Sequence, residues 1–558
     1  MADDPFVASA INRIRITQGL WVCAYTATAI LAAWVVWVVG HRGVFLCDQS
    51  GMFDAAWRLV QGQVIYRDFY APYPPVTFFI QSLFFRFAGV DFSSMVLAAA
   101  VVNALAAVCV MRIIRRLLPD SQFRPAALAG GIVTAVWFQA PFGTLWFEQT
   151  SFLFNLIALT LLVETAYSSD HASVYLRVIA GSSLALSILC KQNAGALLLP
   201  GPVGAAVILC APHWRKMGRA LLEISTGMLI VFALFFAWLV LFSSPSGFWH
   251  STVVMSGDLA ASRMRRLSPL TDILRVKKTW PYIRKAVGII FIFAISRVAF
   301  RSQLSKINVA VICWVVLAFS FLQNIFSALT ANEIEDTVSY LGLLYGTALG
   351  LCFPAIWKPK FAVHRGITFL GSALLLLVGT YYLVGTPTVD GWDVSSTRIV
   401  QQFDIKTRFT ERVNVPGASR LVWGDPTLVG PYGPEGDSRI KLTRQDFENV
   451  NAWLSKANKN FFVFPDSTLL YGLHHKVSPQ PWLYFFPGHS FRLADLPQMD
   501  GVILRDLRAK QVQVIVLEKI SFLRNHELLS KLPQLEAWIH HGFEKTAEFG
   551  IYEIWTLR

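Results

Sequence analysis

Long apolar stretches recur along the first 385 residues and constrain the fold more than any other feature. A membrane-spanning helix needs about 20 apolar residues, and about eleven stretches approach that length. They are 19–40, 93–111, 124–141, 152–167, 175–190, 194–211, 220–243, 286–300, 308–329, 337–357 and 366–385. Only 15% of the 558 residues are charged, whereas about a quarter are charged in soluble proteins. We therefore predict an α-helical polytopic membrane protein with about eleven transmembrane helices.

Basic residues are concentrated in alternate connections between these stretches. They are Arg13 and Arg15; Arg112, Arg115 and Arg116; Arg177; Arg215, Lys216 and Arg219; Arg301 and Lys306; and Lys358, Lys360 and Arg365. Basic connections are typical of the cytoplasmic side, so we predict a cytoplasmic N-terminus. The extracytoplasmic connections are then 41–92, 142–151, 191–193, 244–285, 330–336 and everything after 385. Because the net charge of +14 is dispersed between apolar stretches, we predict no nucleic-acid partner.

Two outer connections allow more than one interpretation. Residues 76–90 are apolar, but a span there would break the alternation, so we predict a helix in the outer interface after Pro75. The outer loop 244–285 is itself basic and contains Arg263, Arg265 and Arg266. Either the topology differs at this loop or these cations bind an anionic ligand, and long loops obey the charge rule only weakly.

From residue 386 the composition becomes that of a soluble domain. Residues 461–466 (FFVFPD) and 512–519 (VQVIVLEK) are typical of strands, and residues 444–457 have one apolar helical face with Thr443 as N-cap. A further helix is predicted over 526–541. We therefore divide the chain into a transmembrane module, 1–385, and an extracytoplasmic (periplasmic) α/β domain, 386–558, in which no nucleotide-binding motif is found.

The connection at 41–92, called the first outer loop below, contains the stretch CDQSGMFDAAWRLVQGQVIYRDFYAPYPP at 47–75. Its first half predicts a short amphipathic helix over 50–62 that ends at Gly62. Asp48 precedes this helix, either as its cap or as a carboxylate that faces a cavity. Arg67 and Asp68 either pair with each other or contact a substrate.

These residues resemble the first outer loop of the GT-C superfamily of membrane glycosyltransferases, which includes protein O-mannosyltransferases and the aminoarabinose transferase of lipid A. The matching residues are Asp48, Gly62, Tyr66-Arg67-Asp68-Phe69 and Tyr73-Pro74-Pro75. The resemblance implies transfer of a sugar from a polyprenyl-phosphate carrier to a hydroxyl group on the far side of the membrane. It also implies that Asp48 is the essential first-loop acid.

Glu148, in FGTLWFEQT, matches the second acid of this superfamily, where many members have Asp. The acid and lysine that several relatives carry before Pro-Pro are absent here, and Pro72 and Tyr73 occupy their places. The resemblance therefore leaves open which cation binds the carrier phosphate.

The chemistry of such a transfer needs a base and a cation. A carboxylate such as Asp48 can accept the proton of the acceptor hydroxyl, and a fixed cation stabilises the phosphate that leaves. Lys191, in CKQNAG, is our first candidate for that cation, although it suits a snorkelling helix-end lysine equally well. Arg263, Arg265 and Arg266 come next, and Arg67, Asp68 and Tyr73 complete the predicted substrate-binding set.

We predict no cofactor. The seven cysteines lie mostly inside apolar stretches, and no Cys/His spacing indicates zinc. A metal between Asp48 and Glu148 is chemically allowed, but no pattern supports it.

Two other functions compete with transfer. A transporter or flippase would carry ionisable residues near the middle of the bilayer and two related halves, and a scaffold would bind a partner without catalysis. The partners expected of a glycosyltransferase are a polyprenyl-phosphate-linked sugar, membrane lipid, and a lipid, glycan or protein acceptor. The expected location is a bacterial inner membrane.

Overall fold

The computed structural model describes residues 5–44, 46–118, 124–139, 143–211, 213–255, 257, 306–330, 343, 411–423, 442–483, 485–487 and 490–558. A helical part occupies the described residues up to 330, and a mixed α/β part begins at residue 411. The boundary predicted at 385/386 lies outside the described residues and stays a prediction.

The helical part contains twelve helices in its described residues. They are α1 (Pro5–Gly40), α2 (Leu46–Val60), α3 (Val76–Ala88), α4 (Phe92–Leu117), α5 (Arg124–Trp137), α6 (Phe147–Glu164), α7 (Asp170–Cys190), α8 (Gln192–Leu198), α9 (Pro200–Cys210), α10 (Trp214–Phe242), α11 (Pro245–Trp249) and α12 (Lys306–Thr330). A short π-helix, His250–Val254, follows α11 directly.

Six stretches in the described residues are helical, long and apolar enough to cross a membrane. They are Gln18–Gly40, Phe92–Leu117, Phe147–Tyr167, Asp170–Cys190, Gln192–Cys210 and Trp214–Phe242. Each coincides with a predicted stretch, and shorter apolar helices cover two more, at Arg124–Val136 and Lys306–Val315. The predicted spans at 286–300, 337–357 and 366–385 lie outside the described residues. The chain is an integral membrane protein, and the total of about eleven spans stays a prediction.

Ion pairs between side chains show which ends of the spans lie together. One end of the bundle carries ion pairs between arginine and glutamate: Arg112 and Arg116 with Glu164, and Arg177 and Arg219 with Glu223. The other end carries the first outer loop, the start of α6 and the end of α7. This arrangement agrees with the predicted alternation of basic connections, whereas the sidedness of each end stays a prediction.

The first outer loop contains the two helices that its sequence predicts, α2 and α3. The chain turns after α2 at Gly62, whose φ of 84° is a conformation that favours glycine. Helix α2 begins earlier than predicted, at Leu46, so Asp48 lies within its first turn and does not precede the helix. The prediction that Asp48 lies before the helix and caps it is therefore wrong, because the apolar residues before Asp48 are already part of the helix.

The α/β part is built around a four-stranded sheet with the order β3-β4-β6-β5. Strands β3 (Phe461–Phe464) and β4 (Val514–Glu518) are parallel, and β6 (Tyr552–Leu557) pairs antiparallel with β4 and with β5 (Phe543–Phe549). Two residues each form β1 (Glu411–Arg412) and β2 (Val422–Trp423), which pair with each other. Both strands predicted from sequence are confirmed.

Helices cover the sheet on both faces, which explains why β3 and β4 are apolar at every position except the last residue of β4, Glu518. Helix α13 (Arg444–Ala457) begins at Thr443, which forms the predicted cap within a capping box with Asp446. The other helices are α14 (Leu469–Leu473), α15 (Leu496–Ala509) and α16 (Pro533–Gly542). The helix predicted over 526–541 is a 3-10 helix, Phe522–Lys531, followed by α16, because Pro533 starts a new helix. Helix α15 was not predicted.

The α/β part shares one apolar core with the first outer loop. Phe53 and Phe85 of the loop belong to the same cluster of buried side chains as Val463 and Val514 of the sheet. Polar contacts join the two parts as well: the Trp57 indole donates to the Lys476 carbonyl at 2.8 Å, and Arg58 donates to the Gln480 carbonyl at 2.8 Å. The loop and the domain therefore form one packed unit.

Candidate functional site

Glu148 and Lys191 form a buried ion pair at the end of the bundle that carries the first outer loop. Glu148 lies in the first turn of α6, and Lys191 directly follows the last residue of α7. Negative charge is stabilised at the start of a helix and positive charge at its end, so both helix dipoles favour this pair. Sequence reasoning selected each residue separately, and the structure brings them together.

The break between α7 and α8 puts Lys191 in this position. Lys191 has an extended backbone, with φ −152° and ψ 111°, between the two helices. Its own N–H still donates to the Ser187 carbonyl, and its carbonyl accepts from Gly195 N–H at 2.9 Å. The side chain is thus carried on a backbone that two helices fix, which limits its motion.

Tyr73 is the third predicted residue at this site. Its ring centroid lies 5.4 Å from Lys191 Nζ, within the range of a cation–π interaction. The ring also packs on Phe147, with 4.2 Å between ring centroids, and its carbonyl accepts from the Tyr66 hydroxyl at 2.6 Å. The Tyr-Pro-Pro turn therefore supplies one wall of the site.

Two glycines allow the first outer loop to approach the start of α6. A Cβ at Gly40 would collide with the Gly143 carbonyl, and Gly143 itself has a φ of 66°. Beyond this approach, the Gln49 side-chain amide donates to the Thr144 hydroxyl at 3.0 Å. Asp48, which is half-buried, lies beside Gln49 in the first turn of α2. The turn that carries Asp48 is therefore joined to the segment that leads into Glu148.

Arg67 and Asp68 pair with each other at the surface of the loop. Their side chains are 2.9 Å apart, and Asp68 also accepts from the Val64 N–H at 2.7 Å. The hydrogen bond from Arg67 lowers the pKa of Asp68 below its usual value. Arg67 also donates to the Phe242 carbonyl at 3.3 Å. These contacts fix the loop, and a role in substrate binding stays a prediction.

A cover segment, residues 242–254, packs over the first outer loop. Phe248 lies against the ring of Tyr66, with 5.2 Å between centroids, and the Ser243 hydroxyl donates to the Ile65 carbonyl. The segment includes the π-helix, a geometry frequent at functional sites. Gln192, next to Lys191, reaches it: the side-chain amide donates to the Thr252 carbonyl at 3.3 Å and lies 3.5 Å from the Pro72 carbonyl.

Three buried polar atoms of this cluster have no hydrogen-bond partner among the residues that the structure describes. They are Glu148 Oε2, Gln192 Oε1 and Ser251 Oγ. An unsatisfied buried polar atom costs about 1–3 kcal/mol, so three of them on elements that contact one another indicate a binding site. Sequence reasoning missed Gln192 and Ser251; only the position of Gln192 beside Lys191 in CKQNAG was a signal.

Arg263, Arg265 and Arg266 lie outside the described residues, and their predicted role stays a prediction. Over the part of the chain that is described, no group of three or more His, Cys, Asp or Glu side chains is suited to hold a metal. Glu148, one of the two acids considered for a metal, is paired with Lys191. The absence of a cofactor stays a prediction.

Comparisons with known proteins agree with this architecture. The family model described as dolichyl-phosphate-mannose-protein mannosyltransferase matches residues 72–240. No curated protein sequence matches the chain.

The fold is similar to that of solved membrane proteins. The crystal structure of ArnT from Cupriavidus metallidurans bound to undecaprenyl phosphate has a TM-score of 0.50 at 14% identity, and the match covers 96% of this chain and 97% of that one. The apo oligosaccharyltransferase of Archaeoglobus fulgidus has a TM-score of 0.42 at 10% identity, over 92% and 71% of the two chains. The resemblance predicted from the first outer loop is confirmed.

Proposed function

We propose that this integral membrane protein, which has the GT-C fold, is a glycosyltransferase that moves a sugar from a polyprenyl-phosphate carrier to an acceptor hydroxyl. The observation that carries the proposal is the buried cluster of Glu148, Lys191 and Tyr73 beside the first outer loop. ArnT, whose fold is similar, binds undecaprenyl phosphate. The transferred group and the acceptor, whether lipid, glycan or protein, are outside the proposal.

Lys191 is the cation that meets the carrier phosphate in this proposal. The phosphate gains negative charge as the bond to the sugar breaks, and a fixed cation in a site with little water stabilises that charge more than a mobile one does. Lys191 satisfies both conditions because it is buried and held by Glu148 and Tyr73. A snorkelling lysine would extend into solvent, so the burial of Lys191 favours the role at the phosphate.

Asp48 is the general base. Its carboxylate accepts the proton of the acceptor hydroxyl as the oxygen attacks the anomeric carbon. The half-buried position in the first turn of α2 supports this role, since the neighbouring Gln49 joins this turn to Thr144 near the start of α6. Glu148 serves differently: it holds Lys191 in place and offers its second oxygen to the substrate.

The site faces the extracytoplasmic side in this proposal, and the N-terminus lies in the cytoplasm of a bacterium with the protein in its inner membrane. Arginines gathered at the opposite end of the bundle support the orientation, since such residues are typical of cytoplasmic ends. The α/β domain, which packs on the first outer loop, is then extracytoplasmic as well.

The test is transfer by the purified Asp48→Asn variant. Polyprenyl-phosphate-linked radiolabelled sugars serve as donors and a membrane extract supplies acceptors. Loss of the charge costs the helix only about 0.3–1 kcal/mol, so the variant should fold. Asp91→Asn is the matched control, because Asp91 caps α4 at the same end of the bundle and asparagine caps a helix about equally well.

We expect transfer by wild type and by Asp91→Asn, and a loss of at least about 100-fold in Asp48→Asn, the lower end of the range for general-base catalysis. Equal transfer by all three would remove Asp48 from the chemistry. Movement of labelled lipid across vesicles without a new glycosidic bond would show a transporter instead.

A further inference from the structure

We propose that Glu148, Gln192 and Ser251 form a subsite for the hydroxyl groups of a neutral sugar, and that Ser251 selects among donors. This inference rests on the proposed transfer function and adds the class of sugar. It is carried by one buried oxygen atom of each residue, none of which has a hydrogen-bond partner among the residues that the structure describes.

The three residues come from separate elements that direct contacts connect. Gln192 follows Lys191, which pairs with Glu148, so the α7–α8 junction joins Gln192 to the start of α6. The Gln192 amide then donates to the carbonyl of Thr252, which adjoins Ser251 in the π-helix. Helix α6, the α7–α8 junction and the cover segment thus supply one polar group each.

The chemistry of the three atoms defines what would bind there. A carboxylate oxygen and an amide oxygen only accept hydrogen bonds, and a serine hydroxyl both accepts and donates. The complementary ligand must therefore carry several donors with little room between them. Adjacent hydroxyl groups of a sugar ring meet this requirement, whereas an apolar or purely anionic group does not.

Charge distinguishes a neutral sugar from an amino sugar. Lys191 already neutralises the Glu148 carboxylate, and Gln192 and Ser251 are uncharged. Apart from the carrier phosphate, which Lys191 binds in the proposed function, no negative charge is left over here for an ammonium group. These three residues by themselves therefore suit uncharged hydroxyl groups better than an ammonium group, which the Lys191 ammonium would repel.

Aromatic rings complete the surroundings of the subsite. Tyr73 lies beside Lys191 and packs on Phe147, and Phe248 of the cover segment packs on Tyr66. The apolar face of a sugar ring packs on such side chains, while its hydroxyls reach the polar atoms. A pocket with apolar walls and a few convergent polar groups is typical of small-molecule sites.

Ser251→Ala tests the proposal with little risk to folding, because the hydroxyl that it removes has no partner in the described structure. The matched control is Ser183→Ala: Ser183 is also buried, and its hydroxyl donates to the Ile179 carbonyl in α7. Donors are polyprenyl-phosphate-linked hexoses, the same hexoses lacking one hydroxyl each, and a polyprenyl-phosphate-linked amino sugar. Initial rates give kcat/KM for every pair.

We expect Ser251→Ala to reduce kcat/KM for the preferred hexose about tenfold, the effect of one lost hydrogen bond. For one deoxy donor the variant and wild type should be equally active, since the missing hydroxyl is the one that Ser251 binds. The melting temperature and Ser183→Ala should match wild type.

Three results would overturn the inference. They are an unchanged kcat/KM in Ser251→Ala, the same loss with every deoxy donor, and a wild-type preference for the amino sugar. Wild-type enzyme that transfers no lipid-linked sugar would instead overturn the proposed function and this subsite with it.

Discussion

Helix α6 has one glutamate near each end, and the two differ in how their oxygen atoms are paired. Glu164, at the end of the helix, accepts from Arg112 and Arg116 through both of its oxygens. The arginine side chains are 50% and 39% exposed. Glu148, in the first turn, meets one lysine that is only 6% exposed, and its second oxygen has no partner in the described structure.

The pair at Glu164 holds helices of the bundle together, whereas the pair at Glu148 leaves one oxygen atom available to a ligand. At the Glu164 end, water reaches both arginines although Glu164 is buried, and every acceptor is satisfied, so less free energy depends on the pair. At the Glu148 end, each buried charge is stabilised mainly by the other. One carboxylate oxygen there has no partner in the described structure and can accept a hydrogen bond from a ligand. Similar residues on one helix therefore serve different purposes because their exposure differs.

The largest effect is expected from breaking the buried pair. Glu148→Gln leaves the Lys191 charge buried without its counter-ion, which should destabilise the protein by about 3–5 kcal/mol and reduce transfer by roughly 100-fold or more. Glu164→Gln, at the exposed end, should cost at most about 1 kcal/mol and keep transfer. Thermal unfolding in detergent and initial transfer rates check both.

A double substitution separates folding from chemistry at this pair. Glu148→Gln with Lys191→Met removes both charges, so stability should return to near that of wild type, while transfer stays lost. Wild-type transfer by the double variant would contradict a role for this pair in the reaction. Equal damage from Glu164→Gln would erase the contrast between the two ends.

A second buried pair extends the comparison to the α/β domain. Arg58 lies 2.9 Å from Asp54 in α2 and also donates to Ser478 and to the Gln480 carbonyl of the domain. Burial raises the pKa of Asp54, although Arg58 opposes the shift. Arg58→Met should therefore destabilise the protein by about 3–5 kcal/mol, measured by the urea midpoint of tryptophan fluorescence.

Arg112→Met is the control for this substitution, since it removes an arginine from the exposed pair and should cost at most about 1 kcal/mol. Adding Asp54→Asn to Arg58→Met should recover part of the loss. If both arginine substitutions lower the free energy of unfolding by the same amount, burial does not determine how much these ion pairs stabilise the protein.

The smallest predicted effect is a change of stability with pH, caused by a buried acid that lies near another acid. Glu518 lies at the end of β4, and burial together with the nearby Asp466 raises its pKa to about 8. The folded state therefore holds a proton that the unfolded chain has released above its ordinary pKa. The contribution of Glu518 to folding stability is fully present below the ordinary pKa of a glutamate side chain. It is lost as the pH rises through about 8.

The melting temperature of the α/β domain should accordingly fall between pH 5 and pH 9, and Glu518→Gln should flatten this dependence because glutamine does not titrate. Differential scanning calorimetry at a series of pH values provides the measurement. A melting temperature that rises with pH in wild type, or the same slope in the variant, would contradict the assignment to Glu518.

Local patterns predicted much of the fold. Apolar length predicted the spans, short apolar runs predicted β3 and β4, and Thr443 predicted the start of α13. Patterns failed where neighbours far along the chain decide the outcome. Helix α15 contains no long apolar stretch, and the helix predicted over 526–541 divides at Pro533, where a new helix begins.

The candidate site shows the same limit. Glu148, Lys191 and Tyr73 were each predicted from their positions in outer connections, but no local pattern shows that a glutamate and a lysine 43 residues apart will pair. Ser251 was missed for a similar reason. A serine in an apolar segment is ordinary, and only the tertiary structure shows that its hydroxyl is buried without a partner.

The shared core of the first outer loop and the α/β domain has a consequence for biosynthesis. Trp57 and Arg58 are made early, yet their partners Lys476 and Gln480 follow 419 and 422 residues later. At about 5–20 residues per second, the ribosome needs roughly 20–80 s to supply them. During that interval the face of α2 that the α/β domain will cover stays exposed. Nascent chains interrupted before the last quarter of the message would therefore expose it to chaperones and proteases.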